Sequence, residues 1–166
     1  MKLLYPLIIL FAFFISCSTE PEQIICSEVT EVELWGMCFD IESTTKIDTQ
    51  DWIENPADFE VTGSIPPEIG YLTNLTRLNL YGSQLTGQIP PEIGNLVNLT
   101  HLYLWNNKLT GGIPPEIGNL TNLILFTSKN NQLFGEIPPE VCDLMESNNL
   151  HMANILDGNN LINTCE

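Results

Sequence analysis

The stretch "GQIPPEIGNLVNLTHLYLWNNKLT", from Gly87 to Thr110, is flanked on both sides by copies of itself. Aligned on Gly63, Gly87, Gly111 and Gly135, the period is 24 residues, and the units open "GSIPPEIGYLTNL", "GQIPPEIGNLVNL", "GGIPPEIGNLTNL" and "GEIPPEVCDL". The "IPPEIG" words barely change, whereas the words equivalent to "THLYLW" do. In "LTRLNLYGSQL", Leu78 and Leu80 alternate with Arg77, Asn79 and Tyr81, the period-two pattern of a half-buried strand. The next copies stack Leu102 and Leu104 on these, then Phe126 and Ser128. No single unit can enclose its own leucines, so neighbouring units must supply the core, with strands about 4.8 Å apart in a parallel sheet.

The rest of the unit is equally constrained. An inward Asn at Asn107, Asn131 and Asn159, with Ser83 in the first copy, can bond the backbone of adjoining turns. Gly87 and its equivalents turn the chain where φ > 0 is needed. "IPPE" runs extended because Pro fixes φ and offers no donor, and the second Pro opens a short helical turn with Ile69 and Leu72 inward. Glu68, Glu92, Glu116 and Glu140 fall in the first turn of that segment, where negative charge is favoured by a few tenths of a kcal/mol. That helix-start preference, copied with the repeat, accounts for the row without acid–base or calcium chemistry.

Periods of 20–29 residues with leucines at fixed offsets mark leucine-rich repeats. The wording "LxxLxxLxLxxNxLxGxIPxxIGxLxN" resembles the plant-specific subclass of that family, found in receptor-kinase ectodomains and polygalacturonase inhibitors, with similar repeats in bacterial surface lipoproteins. The resemblance covers about 61–144. The expected fold is therefore α/β: a disulfide-capped solenoid with a short parallel sheet on the concave face and short helical or 3-10 and extended segments on the convex face.

Both ends of an open stack need caps. "CSEVTEVELWGMCFDIESTTKI" (Cys26–Ile47) resembles the Cys- and Trp-containing module that precedes plant-type repeats, without that module's adjacent Cys-Cys pair; "TTKIDT" supplies a first strand with Ile47 inward. "QDWIENPADFE" (Gln50–Glu60), with Trp52 and Phe59, interrupts the register as a capping loop or part of a binding edge. At the other end Leu156, Asn159 and Leu161 repeat the L-x-x-N-x-L spacing, which puts Leu156 in the Leu104 slot, 28 residues after Ser128. Ser128, and Ser147 at the Leu75 position, predict a looser last unit. The organisation expected is 1–18 signal, 19–62 N-terminal cap, 63–144 repeats, and 145–166 irregular last repeat and cap.

Lys2, the apolar run "LLYPLIILFAFFI" (Leu3–Ile15) and the small-residue exit "SCST" describe an export signal. The run is shorter than the roughly 20 residues of a membrane span. "FISC" (Phe14–Cys17) resembles a bacterial lipobox with Phe in place of the usual Leu, which would make Cys17 the lipidated first residue of an anchored protein. Cleavage after Ser18 and plain secretion is the other reading. Cys26, Cys38, Cys142 and Cys165 remain, an even number for an oxidising compartment. Of three possible pairings the two local couples flanking the repeats are favoured, Cys26–Cys38 and Cys142–Cys165. No C-x-x-C spacing supports zinc.

Without the signal, four basic residues face 21 acidic ones, a charge of −17, which argues against nucleic acid and against direct contact with anionic lipid. The residues alternating with the leucines form three outward columns: Arg77/His101/Leu125, Asn79/Tyr103/Thr127 and Tyr81/Trp105/Lys129. Aromatic residues beside Arg are typical binding anchors. The expectation is a monomeric, exported, non-catalytic module binding a protein or peptide on these nine residues. Carbohydrate recognition, including inhibition of a wall-degrading enzyme, and a purely architectural or adhesin role are the alternatives. His101 and His151 are the two histidines, and no nucleophile motif, phosphate loop, cofactor motif or metal-ligand spacing accompanies them. The "NLT" triplets at Asn74, Asn98 and Asn119 fit glycosylation sequons in a eukaryotic host.

Overall fold

The computed structural model describes Cys26, residues 30–52 and residues 61–165. The signal segment, Cys17, Phe59 and the side chain of Trp52 lie outside the described residues. Among those described, no helix is long and apolar enough to cross a membrane.

The chain opens with an antiparallel hairpin, β1 (Glu31–Leu34) and β2 (Met37–Asp40). Its two-residue loop puts Trp35 at φ 51° and Gly36 at φ 75°, the doubly left-handed conformation that matches strand twist. Trp35 is an unusual residue for that position, and its indole Nε1 donates to Ser64 O at 3.0 Å, fixing the hairpin against the first repeat. Val32 and Leu34 are buried under it, closing the core at this end. The Cys26–Cys38 disulfide, Cα–Cα 5.5 Å, ties the preceding chain to β2.

Next come the strands that line the concave face: β3 (Lys46–Asp48), β4 (Arg77–Asn79), β5 (His101–Tyr103) and, after the short β6 (Thr110–Gly111), β7 (Leu125–Thr127). They form one parallel sheet in the order β3-β4-β5-β7, with Ile47, Leu78, Leu102 and Phe126 in register. All four are 0–1% exposed, as are Leu80, Leu104 and Ser128 in the next inward column. The stack of inward leucines expected from the alternation is present. On the opposite flank β6, β8 (Gln132–Glu136) and β9 (Asn160–Ile162) make a second parallel sheet.

Three 3-10 turns, Pro67–Tyr71, Pro91–Asn95 and Pro115–Asn119, form the convex side, each opened by the second Pro of "IPP". Ile69, Ile93 and Ile117 point into the core from them, and the row of glutamates occupies their first turns. The Gly of "IG" has a steric role: a Cβ on Gly70 would meet Glu92 O at 2.8 Å, and one on Gly118 would meet the Glu140 Cβ at 2.7 Å. Each unit rests the backbone of its glutamate on the preceding unit's glycine.

Asn107 binds the turns together. Its Oδ1 accepts from Leu85 N at 3.0 Å, and its Nδ2 donates to Leu80 O at 2.8 Å and Leu104 O at 3.0 Å. Asn131 and Asn159 repeat the pattern one and two units on. Ser83 is shorter and reaches only Thr49 Oγ1 and Tyr81 O.

The last unit departs from the others. A nine-residue helix, α1 (Pro139–Ser147), replaces the 3-10 turn and runs across the expected 144/145 boundary. A helical turn, α2 (Ala153–Leu156), replaces the next strand. One expectation is corrected here. Ser128 N bonds to Asn154 O just as Leu104 N bonds to Thr127 O, so Ile155, not Leu156, fills the Leu104 slot, and Ile155 is fully buried while Leu156 is half-buried. Helical winding presents a different residue from the one an extended count selects. Asn159 then reaches back four residues to Ile155 O, where Asn107 reaches back three. Ser147 is exposed, its hydroxyl donating to Asp143 O. Cys142 and Cys165 are joined, Cα–Cα 5.3 Å.

Candidate functional site

The registers Arg77–His101–Leu125 and Asn79–Tyr103–Thr127 place two of the three expected columns side by side on the concave sheet. The third, Tyr81/Trp105/Lys129, continues the ladder one step beyond the strands through Gly82 N to Trp105 O and Asn106 N to Lys129 O. All nine candidate residues therefore share one face, but they are not equally available. Asn79 and Thr127 are 8% and 6% exposed, whereas Arg77, Tyr81, His101, Tyr103, Trp105, Leu125 and Lys129 are half-buried.

The side chains are held by one another. Tyr81 and Trp105 stack with ring centroids 3.7 Å apart and planes 18° from parallel. The Arg77 guanidinium sits 4.8 Å from the Tyr103 ring centre, in range for a cation–π contact. His101 lies nearly parallel to Tyr103 with centroids 6.1 Å apart. Such contacts fix rotamers before any partner arrives, which lowers the entropy lost on binding.

Asp48 organises this arrangement, and the sequence reading missed it. It is 7% exposed on β3, directly in register with Asn79. Its Oδ1 accepts from Asn79 Nδ2 at 2.8 Å and from Gln50 N at 3.1 Å, and its Oδ2 lies 3.3 Å from Arg77 Nε and 3.6 Å from Lys46 Nζ. Asn79 completes the chain by accepting from Tyr81 N. The available signal was the "KID" strand itself: once Ile47 is inward, Lys46 and Asp48 must join the outward columns. Lys46 also donates to Asp51 at 2.7 Å, and this bond holds its ammonium above the usual lysine range. The cations at the β3–β4 end are thus paired, whereas Lys129 at the β7 end has no side-chain partner among the described residues.

A cavity of about 770 Å³ opens at the C-terminal end of the stack, where α1, Met152 and the Cys142–Cys165 link border it. His151 is exposed in the last unit. Among the described residues no three His, Cys, Asp or Glu side chains come together as a metal-binding group. Asn74 and Asn98, two of the three sequon residues, use their Nδ2 to donate to Glu42 O and Thr73 O of the preceding turn, each at 2.9 Å.

Known proteins match the repeats. The leucine-rich-repeat family model matches residues 74–96 and 98–120. Among solved structures, the ectodomain of the Arabidopsis thaliana receptor kinase GASSHO1/SCHENGEN3, in complex with CASPARIAN STRIP INTEGRITY FACTOR 2, is 42% identical over 63% of this chain and 12% of its own, with a TM-score of 0.56. The Arabidopsis thaliana BIR2 ectodomain is 32% identical over 61% of this chain and 51% of its own, TM-score 0.55. The BIR3–SERK2 complex from the same plant gives 35% identity over 61% and 51%, TM-score 0.54. The chain thus spans about half the length of BIR2 and far less of GASSHO1. No curated protein sequence matches it.

Proposed function

Since the chain is a leucine-rich-repeat protein with plant-type repeats, we propose that it is an exported, non-catalytic module that binds a protein or peptide on its concave face. Arg77, Tyr81, His101, Tyr103, Trp105 and Lys129 make the contacts; Asn79 and Thr127 lie beneath them and Leu125 at the edge. The observation that carries this reading is the preorganised cluster on that face: Tyr81 stacked on Trp105 at 3.7 Å, with Arg77 held by both Asp48 and Tyr103. Rigid aromatic residues beside Arg give large contact area at small entropic loss. The similar structures of GASSHO1/SCHENGEN3 in complex with CASPARIAN STRIP INTEGRITY FACTOR 2 and of BIR3 in complex with SERK2 support a macromolecular partner of this kind. The two disulfides support an oxidising, extracytoplasmic location. The signal segment accounts for export, with Cys17 as the lipid anchor and the protein monomeric.

A sugar ligand fits less well. Tyr81 and Trp105 each present one ring face to the other, so the pair has less free face on which to stack a pyranose ring.

The test is to pan a random-peptide library against the protein, with the Tyr103→Ala/Trp105→Ala double variant as counter-target and its fold checked by circular dichroism. A glycan array probes the same pair in parallel. Peptides retained by the native protein and lost by the variant are the expected result. No enriched peptide, or equal retention by both, would sink the proposal; glycan retention lost in the variant would replace it with the sugar reading.

A further inference from the structure

The concave face carries one hydrogen-bonding group whose protonation the geometry decides. Thr100 Oγ1 lies 2.8 Å from Thr76 O and also 2.8 Å from Nδ1 of His101. A hydroxyl has one proton, and a carbonyl oxygen can only accept. The proton at Thr100 is therefore directed to Thr76 O. An internal control supports this direction: one unit earlier Thr76 Oγ1 makes the same bond to Thr45 O, at 2.9 Å, where the following residue is Arg77 rather than a histidine. The hydroxyl-to-carbonyl ladder is thus a habit of the repeat and not a response to His101. With its proton committed, Thr100 Oγ1 can only accept from the ring, so Nδ1 is the atom that carries hydrogen.

We infer that neutral His101 is held as the Nδ1–H tautomer, which leaves Nε2 as a fixed hydrogen-bond acceptor on the concave face, and that the partner is selected for a donor opposite it. The inference rests on the peptide-binding reading above and adds to it the chemistry of one contact. The neighbours agree. Nε2 is on the ring edge away from Nδ1 and has no partner among the described residues. Arg77, in register on β4, is engaged by Asp48 and Tyr103 and does not donate to it; Leu125, in register on β7, offers nothing polar. A backbone N–H of an extended peptide is the donor that suits a short parallel ribbon, with a hydroxyl or ammonium as side-chain equivalents.

A ring nitrogen that is fixed as an acceptor discriminates more sharply than a freely exchanging one. Placing a carbonyl or carboxylate opposite Nε2 would set acceptor against acceptor, and leaving either group unpaired on burial is costly.

Two measurements test this. The first needs no ligand: a two-bond proton–nitrogen correlation spectrum of the ¹⁵N-labelled protein, recorded above the histidine titration range, with exposed His151 as the reference ring. His101 should show a protonated Nδ1 and a bare Nε2, and Thr100→Val should release the ring towards the Nε2–H form. A protonated Nε2 in the native protein overturns the inference. The second uses the peptides recovered by panning. His101→Gln keeps an acceptor near the Nε2 position, while His101→Asn keeps only a donor near Nδ1. Binding should stay within about threefold for Gln and fall up to about tenfold for Asn, the range of one hydrogen bond. Equal loss in both variants, or none in either, overturns the recognition half. If panning yields no peptide, the display reading fails together with that half, and the spectrum still decides the tautomer.

Discussion

The middle of the stack and its C-terminal end contain the same sequence slots but obey them differently. In the middle, every slot is answered by a unit on each side: Leu104 lies between Leu80 and Ser128, Gly94 receives Glu116, and Asn107 bonds three backbone groups while 8% exposed. At the end, the Gly slot holds Cys142, the Leu75 slot holds exposed Ser147, and the Leu104 slot is filled from a helical turn. A slot is strict only where another unit presses on it. Cys142 can have a side chain because no further glutamate rests on it, and that side chain then forms the Cys142–Cys165 link. Closing a loop of that length contributes about 3 kcal/mol and ties the chain beyond β9 to α1 beside the 770 Å³ cavity.

The largest effect expected from this contrast is at the asparagine ladder. Asn107→Ala leaves Leu85 N and Leu80 O without a partner in a dry environment and takes one of two donors from Leu104 O, which keeps Asn131 Nδ2; it should cost about 3 kcal/mol. Asn159→Ala removes three bonds from a half-buried site that water can enter, so about 1 to 2 kcal/mol is expected. Urea titration of both variants measures the gap. Equal losses would mean that the end is as tightly closed as the middle.

The glycine slot gives the next effect. Gly94→Ala places a methyl against Glu116 O and Cβ, both backbone-fixed. Overpacking of that kind costs about 1 to 3 kcal/mol, and part of it should appear as looser stacking of the third unit, visible as faster amide exchange at Ile117 and Leu120. Stability within about 0.5 kcal/mol of the native protein would show that the units slide apart freely, contrary to the close approach drawn here.

How much of this was legible beforehand follows from the same contrast. The inward leucines, the ladder asparagines and the three outward columns recur at fixed spacing, and recurrence tells a reader that a position faces a neighbour. Irregular positions carry no such signal. The exchange of Leu156 for Ile155 depends on helical winding in the last unit, where the step from Ser128 to Ile155 is 27 residues, and the added length alone does not reveal where the winding falls. The hairpin at Trp35-Gly36 is not evident from the sequence because Trp is rarely left-handed; the bond from its indole to Ser64 O and its packing against the core hold it there. Asp48 was overlooked for another reason. The first strand belongs to a cap with no repeat wording around it, so its outward residues were not entered into the columns they complete. At the concave face the sequence indicates which side chains share a surface, but not which are already engaged with one another. Lys46 and Arg77 are paired with acidic side chains, and Tyr81 and Trp105 stack on each other.

The smallest effect concerns Ser128, where a hydroxyl occupies a leucine column at 0% exposure. On sequence grounds this is the weak point of the stack. Its Oγ lies 3.5 Å from Ile155 O, at the outer limit for a hydroxyl bond, whose usual length is about 2.7 to 2.8 Å. A contact that long returns little of the desolvation lost on burying the group. Ile155 of α2, fully buried, occupies the next slot of the same column. Ser128→Ala should therefore leave stability within about 0.5 kcal/mol of the native value or raise it slightly. Thermal or urea unfolding decides. A loss above 1 kcal/mol would mean that the hydroxyl holds α2 in place, and that the end of the stack depends on polar bonding there as the middle depends on its asparagines.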